Sequence, residues 1–262
     1  MQYYECYTEP IPRKQEIPIY VSLTSIFQNQ DIMYETLLSI KNQTMKPDKI
    51  CIYLSKEPYL LDTGFKDGII IDTRLQKELE NPIYKVVWVK NEGSYRKLIP
   101  ILKEKWNEDC IIITVDDDVV YDENLIENLY YDYLETGCSV AYRGFISNTL
   151  PDKYKYGLDR QVATTGLYNF GTGKGGILYC PYFFHKTGNL IFNSELYLSD
   201  KYKTKDDVWF YLIRIKNNIK LMLGLIEWLK VDNSNKIDRP SLSTNYNTTE
   251  NNTEAINSTL NI

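Results

Sequence analysis

Three consecutive carboxylates, Asp116-Asp117-Asp118, close the run Ile111-Ile112-Ile113-Thr114-Val115 and are the residues best equipped for chemistry. A β-branched apolar run of that length suits a strand buried on both faces, and open α/β sheets bind ligands where such strands leave the core. On an extended chain Asp116 and Asp118 point the same way with Cα atoms roughly 6.6 Å apart, while Asp117 points to the other side. At an effective dielectric near 20, two charges at that spacing repel by roughly 2.5 kcal/mol, so a partly buried pair calls for a cation. Carboxylate oxygens suit Mg²⁺ or Mn²⁺, which take their remaining ligands from substrate phosphates and water. The alternative is a solvated acidic turn, with Asp122 capping the next helix.

A second acidic pair, Asp206-Asp207, precedes the helical stripe Val208, Tyr211, Leu212 and Ile215. One of these acids could serve as a general base, and Thr204-x-x-Asp207 also resembles a capping box; both roles can coexist. Arg96 and Lys97 stand at an expected helix start, where the macrodipole disfavours cations, so they want an anion or face solvent. The run Gly171-Thr172-Gly173-Lys174-Gly175-Gly176 precedes a strand-like segment instead of opening a helix. It is therefore no phosphate-binding fingerprint, and it either lets backbone approach a ligand or is a plain flexible loop.

Composition narrows the classes. The chain has 262 residues, 43% of them hydrophobic, enough for one large domain or two small ones. A net charge of −5 and a pI near 5.2 argue against nucleic-acid binding. Cys6, Cys51, Cys110, Cys138 and Cys180 are odd in number and widely spaced, which reads as reduced core residues in a cytoplasmic protein. With no Cys-x-x-Cys pair and His185 as the only histidine, a structural zinc site or a histidine-activated nucleophile is nearly excluded, and His185 itself reads as a packed or surface residue. The first residues lack a cleavable apolar segment, and the longest later apolar run, around Ile219 to Leu229, is too short to span a bilayer. That leaves peripheral membrane contact open, and oligomeric state is not legible.

Positioning these residues falls to an alternation of elements. Strands are expected at Ile17 to Thr24, Ile50 to Leu54, Ile83 to Val89, from Ile111, at Ser139 to Tyr142 and at Ile177 to Tyr179. Helices are expected from a cap at Asp31 to about Asn42, after Lys97 with Pro100 in its first turn, from Asp122 to Glu135 with Gly137 ending it, and after Asp207. Residues 55 to 81 read as a surface excursion holding a short polar helix at Thr73 to Glu80. The stretch from Arg143 to Thr172 reads as a functional loop. Beyond Asp232 the Asn-, Ser- and Thr-rich composition predicts a disordered tail.

Taken together, the chain resembles the glycosyltransferases of the GT-A fold, closest to the family-2-like group. The resemblance spans most of residues 17 to 217, through Val-Ser-Leu-Thr-Ser (21 to 25), Leu-Leu-Ser-Ile-Lys-Asn-Gln-Thr-Met-Lys-Pro-Asp-Lys-Ile (37 to 50), Gly-Ser-Tyr-Arg-Lys-Leu-Ile-Pro (93 to 100), Ile-Thr-Val-Asp-Asp-Asp-Val-Val-Tyr (113 to 121), Gly-Gly-Ile-Leu-Tyr (175 to 179) and Lys-Asp-Asp-Val-Trp-Phe (205 to 210). It implies a single α/β Rossmann-like domain over 1–232, with a mostly parallel sheet flanked by helices, a nucleotide-binding half at about 17–121, an acceptor half at about 122–232 and a polar tail at 233–262 that is partly packed if it follows the group. It also implies a metal-dependent inverting transfer from a nucleotide-diphospho-sugar, a UDP-sugar by family habit, to a glycan or other hydroxyl acceptor. In that scheme Leu23, Thr24 and Ser25 lie near the base, Asp116 and Asp118 form the DxD motif with Mn²⁺ or Mg²⁺, and Asp117 lies between them at the nucleotide. Arg96 and Lys97 sit beside the nucleotide, Gly175 and Gly176 border the acceptor, and Asp207 is the base with Asp206 beside it. The chain departs from the group at Leu54-Ser55-Lys56, where an acid pair is usual, and at Asp206, where Glu is usual. The alternatives are a sugar-phosphate nucleotidyltransferase, whose glycine-rich basic loop is missing after Ser25, and a non-catalytic nucleotide- or glycan-binding module.

Overall fold

A computed structural model of the chain describes residues 17–150, 163–225, 231–232 and 249–257. Cys6, the centre of the 143–172 segment, the end of the apolar run at 226–229 and most of the tail lie outside the described residues. The strands are β1 (Ile19–Thr24), β2 (Lys49–Leu54), β3 (Tyr84–Trp88), β4 (Ile111–Thr114), β5 (Val120–Tyr121), β6 (Ser139–Ala141), β7 (Gly144–Phe145), β8 (Thr164–Gly166), β9 (Phe170–Gly171), β10 (Ile177–Tyr179), β11 (Leu221–Leu223) and β12 (Val231–Asp232). The α-helices are α1 (Gln30–Lys41), α2 (Thr73–Glu78), α3 (Ile99–Glu104), α4 (Leu125–Thr136), α5 (Ser194–Tyr197), α6 (Asp206–Lys216) and α7 (Thr249–Asn257).

Eight strands form one sheet in the order β3-β2-β1-β4-β10-β6-β11-β8. The first four are mutually parallel, as their apolar sequences require once both faces are covered. β10 runs antiparallel between β4 and β6, β6 and β11 are again parallel, and β8 closes the edge antiparallel. From β1 the chain winds outward to β2 and β3 on one side and then crosses to β4 on the other. The carboxyl ends of β1 and β4 therefore flank a topological switch point, the place where open α/β sheets hold ligands. Ser25 follows β1 there, and Asp116 to Asp118 follow β4.

The core runs through Val21, Leu23, Ile50, Ile52, Ile111 to Ile113, Val140 and Leu178 on the strands, and Met33, Leu37, Leu102, Leu129, Trp209 and Ile213 on the helices. Four of the five cysteines, Cys51, Cys110, Cys138 and Cys180, are buried and free, as expected of small core residues. Gly137, at φ 65°, ends α4 in the left-handed conformation that glycine adopts without a Cβ clash.

Several expectations need correction. β4 ends at Thr114, and Asp117 and Asp118 lie in a turn, so strand alternation does not set the directions of the three acids. α4 begins at Leu125, because Asp122 uses its Oδ1 to accept the Asn124 N–H and leaves the N-cap position to Asn124. α1 begins at Gln30 after Asn29, with Asp31 in its first turn instead of at its cap. The 55–81 excursion is not all surface: Asp62, Phe65 and Leu75 are buried in it. The tail is not all structureless either, since α7 packs on α6 with Ala255 and Ile256 buried, and the Tyr202 hydroxyl donates to the Ala255 carbonyl.

Candidate active site at the carboxyl edge of the sheet

Two acidic segments far apart in sequence meet at one ammonium. Lys97 Nζ lies 2.6 Å from Asp116 Oδ1 and 3.2 Å from Asp206 Oδ2. Its backbone is fixed by Ser22 of β1, whose hydroxyl donates to the Lys97 carbonyl at 2.6 Å. The neighbouring Ser94 hydroxyl donates to Asp206 Oδ1 at 2.7 Å, and Tyr95 donates to the Tyr202 carbonyl just ahead of α6. Tyr95 also stacks on Tyr197, so the 93–97 turn is braced against β1 on one side and the segment before α6 on the other. Burial opposes the charge on Lys97, but Asp116, Asp206 and Asp207 outweigh it and hold the ammonium well above its ordinary pKa. It stays protonated.

Asp207 does not close a capping box with Thr204. Lys205 occupies the N-cap position of α6 without a side-chain cap, and Asp207 Oδ1 accepts the Gly173 N–H at 3.0 Å from the glycine-rich loop. Burial and the adjacent Asp206 push its pKa up to about 7, while Lys97 pulls the other way and Asp116 adds to the rise. A carboxyl so placed can take a proton near neutral pH. Gly173 is the member of the glycine run that touches this cluster: a Cβ there would lie 3.1 Å from Asp207 Oδ1, 3.1 Å from Lys97 Nζ and 3.3 Å from Asp116 Oδ1. Gly175 and Gly176 are placed differently. The first packs against Arg143, where a Cβ would come within 2.5 Å of the Arg143 Cβ, and the second, at φ +77°, packs against Leu125 and Leu129 of α4.

On the β1 side, Asp117 turns inward. Its Oδ2 accepts from Ser25 Oγ at 2.5 Å and from Asn29 Nδ2 at 3.1 Å, and its carbonyl accepts the Thr36 hydroxyl. Burial and Asp118 push it up to about 7, against the pull of those two donors. Leu23 is a fully buried core residue, and Thr24 donates to the Tyr53 carbonyl, so of the three residues expected near a base only Ser25 touches the acids. Arg96 is likewise committed: it is 1% exposed, its Nη2 lies 3.1 Å from Asp62 Oδ2, and its Nε donates to the Gly93 carbonyl. Asp62 in turn accepts the Phe27 and Gly64 N–H groups and the Asn91 amide, stitching three loops together.

Among the described residues no three His, Cys, Asp or Glu side chains form a cage that could hold a metal ion by themselves. A hard divalent ion shared with a diphosphate needs only one or two protein carboxylates, and Asp116 with Asp118 supplies that number. The charge count fits as well. With Arg96 neutralised by Asp62, the carboxylates of Asp116, Asp118 and Asp206 alone outnumber the Lys97 ammonium, and such a surplus favours a bound cation.

No family model matches the chain, and no curated protein is similar to it at a significant level. Among solved structures it is similar to the crystal structure of S. aureus TarS 1-349, with 14% identity and a TM-score of 0.49 over 80% of this chain and 60% of that one. It is also similar to the mannosyltransferase PcManGT from Pyrobaculum calidifontis in complex with GDP-Man and Mn²⁺, with 12% identity and a TM-score of 0.45 over 69% of this chain and 50% of that one. The chain thus spans 60% and 50% of the lengths of these two solved chains.

Sequence reasoning missed Ser94, Gly173, Asp62 and Asn29. Ser94 and Gly173 stand inside stretches already singled out; for Ser94 the available signal was a polar residue two and three positions from Arg96 and Lys97, and for Gly173 only the glycine run itself. Asp62 and Asn29 gave none, because their partners lie 34 and 88 residues away.

Proposed function

We propose that the chain is a glycosyltransferase that moves a sugar from a nucleotide-diphospho-sugar, a UDP-sugar, to a hydroxyl acceptor with inversion at the anomeric carbon. The observation that carries this reading is the meeting of Asp116, from the end of β4, with Asp206, from the start of α6, on Lys97 at the switch point of the sheet. That arrangement sets a phosphate-facing region with a metal-suited acid pair beside an acid poised to accept a proton.

The donor diphosphate lies over the ends of β1 and β4, near Ser25 and Asp116 to Asp118. Asp116 and Asp118 would hold Mn²⁺ or Mg²⁺, which when bound supplies positive charge for the departing diphosphate. Asp207, held toward the cleft by the Gly173 N–H, takes the proton of the acceptor hydroxyl as its oxygen attacks the anomeric carbon. Asp206, tied to Lys97 and Ser94, is engaged by its neighbours and is not the base.

The test is nucleotide release from a panel of UDP- and GDP-sugars, with and without Mn²⁺, alongside calorimetry of UDP binding to wild type and Asp118→Asn. Release from at least one UDP-sugar, and Mn²⁺-dependent UDP binding that Asp118→Asn abolishes, are expected. Binding of no nucleotide under either condition contradicts the proposal.

A further inference from the structure

The turn that carries Lys97 is built as a brace, which says more about this residue than its charge does. Lys97 is 7% exposed, a degree of burial more typical of a structural cation than of a free phosphate ligand. Both of its carboxylate partners come from elements that bear the two halves of the site, Asp116 after β4 and Asp206 at the start of α6. Its main chain is pinned to β1 through Ser22, and its turn is pinned to the segment before α6 through Tyr95. Gly173 closes over the group, near enough that a methyl there would sit 3.1 Å from Lys97 Nζ. Take the ammonium away and the contact that joins Asp116 to Asp206, beside Asp207, is lost. Asp206 then repels Asp207, and the Gly173 hydrogen bond that aims Asp207 loses its support.

The geometry points to Lys97 as a positioning residue: it clamps Asp116 to Asp206 and thereby fixes Asp207 toward the acceptor, instead of serving mainly as a ligand for the donor phosphates. This inference rests on the transferase reading for its kinetic consequences, though the clamp itself is a statement about the folded chain. It separates two roles that a basic residue beside a nucleotide can play. A phosphate ligand contributes to donor affinity, whereas a clamp contributes to the turnover of donor already bound.

The experiment compares Lys97→Met, Lys97→Arg and Asp206→Asn, singly and with Lys97→Met and Asp206→Asn combined. Two readouts are taken: sugar transfer with kcat and donor KM separated, and hydrogen exchange at the Gly173 amide. Lys97→Met is expected to lower kcat by about 100-fold with donor KM within about threefold of wild type, and Lys97→Arg to recover most of that loss. The combined variant is expected to lose no more than about threefold beyond Lys97→Met alone, because residues of one network are not additive. Gly173 exchange should quicken at least about tenfold in Lys97→Met and not in Lys97→Arg, with the amides of β1 and β4 unchanged as the control for folding. A rise in donor KM of about tenfold or more at constant kcat, or a Gly173 amide equally protected in all variants, overturns the clamp. Wild-type protein that transfers no sugar defeats the transferase reading, and the exchange measurement still decides the clamp. Should Lys97→Met fail to fold, Lys97→Arg and Asp206→Asn carry the same comparison, Asp206→Asn being expected to quicken Gly173 exchange.

Discussion

Asp117 and Asp207 have nearly the same electrostatic history and different company. Burial comes first for both, a neighbouring carboxylate second, and each is pushed up to about 7. Asp117 spends one oxygen on Ser25 and Asn29 and its carbonyl on Thr36, so it is a knot joining the end of β4 to α1. Asp207 receives one backbone N–H from a glycine of a separate loop, next to a cation that already has two partners. The difference teaches that a raised pKa does not name a base. The proposed function assigns the base to Asp207 on its company: one backbone N–H holds it, whereas Asp117 is spent on Ser25, Asn29 and Thr36.

Neutral isosteres give the sharpest way to break that comparison. Asp207→Asn should lower kcat by about 10³-fold while leaving UDP affinity within about threefold, and Asp117→Asn should cost no more than about tenfold in kcat. Steady-state transfer assays with calorimetry on the same preparations check both; equal losses would erase the distinction. Truncation reverses the ranking on stability. Asp117→Ala strands the Ser25 hydroxyl and the Asn29 amide and should lower unfolding free energy by about 1–3 kcal/mol in a urea titration, whereas Asp207→Ala should change it less.

The smallest effect is a pH tilt. Both folded-state pKa values lie above the roughly 3.9 of an unfolded aspartate, so between about pH 4 and 7 the folded chain binds more protons than the unfolded one. Stability therefore falls as pH rises through that window, while transfer, if it proceeds as proposed through ionised Asp207, should rise with pH through about 7. Melting temperatures at pH 5 and pH 8 should show a drop in wild type that is smaller in Asp207→Asn.

How much of this was legible in the sequence follows from what each feature depends on. Most of the sheet was, because buried strands write themselves as short apolar runs, and β1, β2, β3, β4, β6 and β10 lie within two or so residues of their expected places, whereas β8 and β11 were not expected. The acidic clusters were legible as clusters. Their directions were not, since the chain leaves the strand at Thr114 and Asp117 follows the pull of Ser25 and Asn29 instead of the pleat. Arg96 and Lys97 looked interchangeable as neighbours in one turn, yet one is sealed on Asp62 and the other stands between Asp116 and Asp206. No local pattern separates them, because the separating contacts lie 19 to 109 residues away. Asp207 looked like a helix cap, and the competing Gly173 N–H, on a different loop, won it.

The most direct test of the account is the anomeric configuration of the first-formed sugar released from an α-linked UDP-sugar, followed by proton NMR with water as acceptor. Direct displacement by an oxygen whose proton passes to Asp207 predicts the β anomer at early times. First appearance of the α anomer would contradict it.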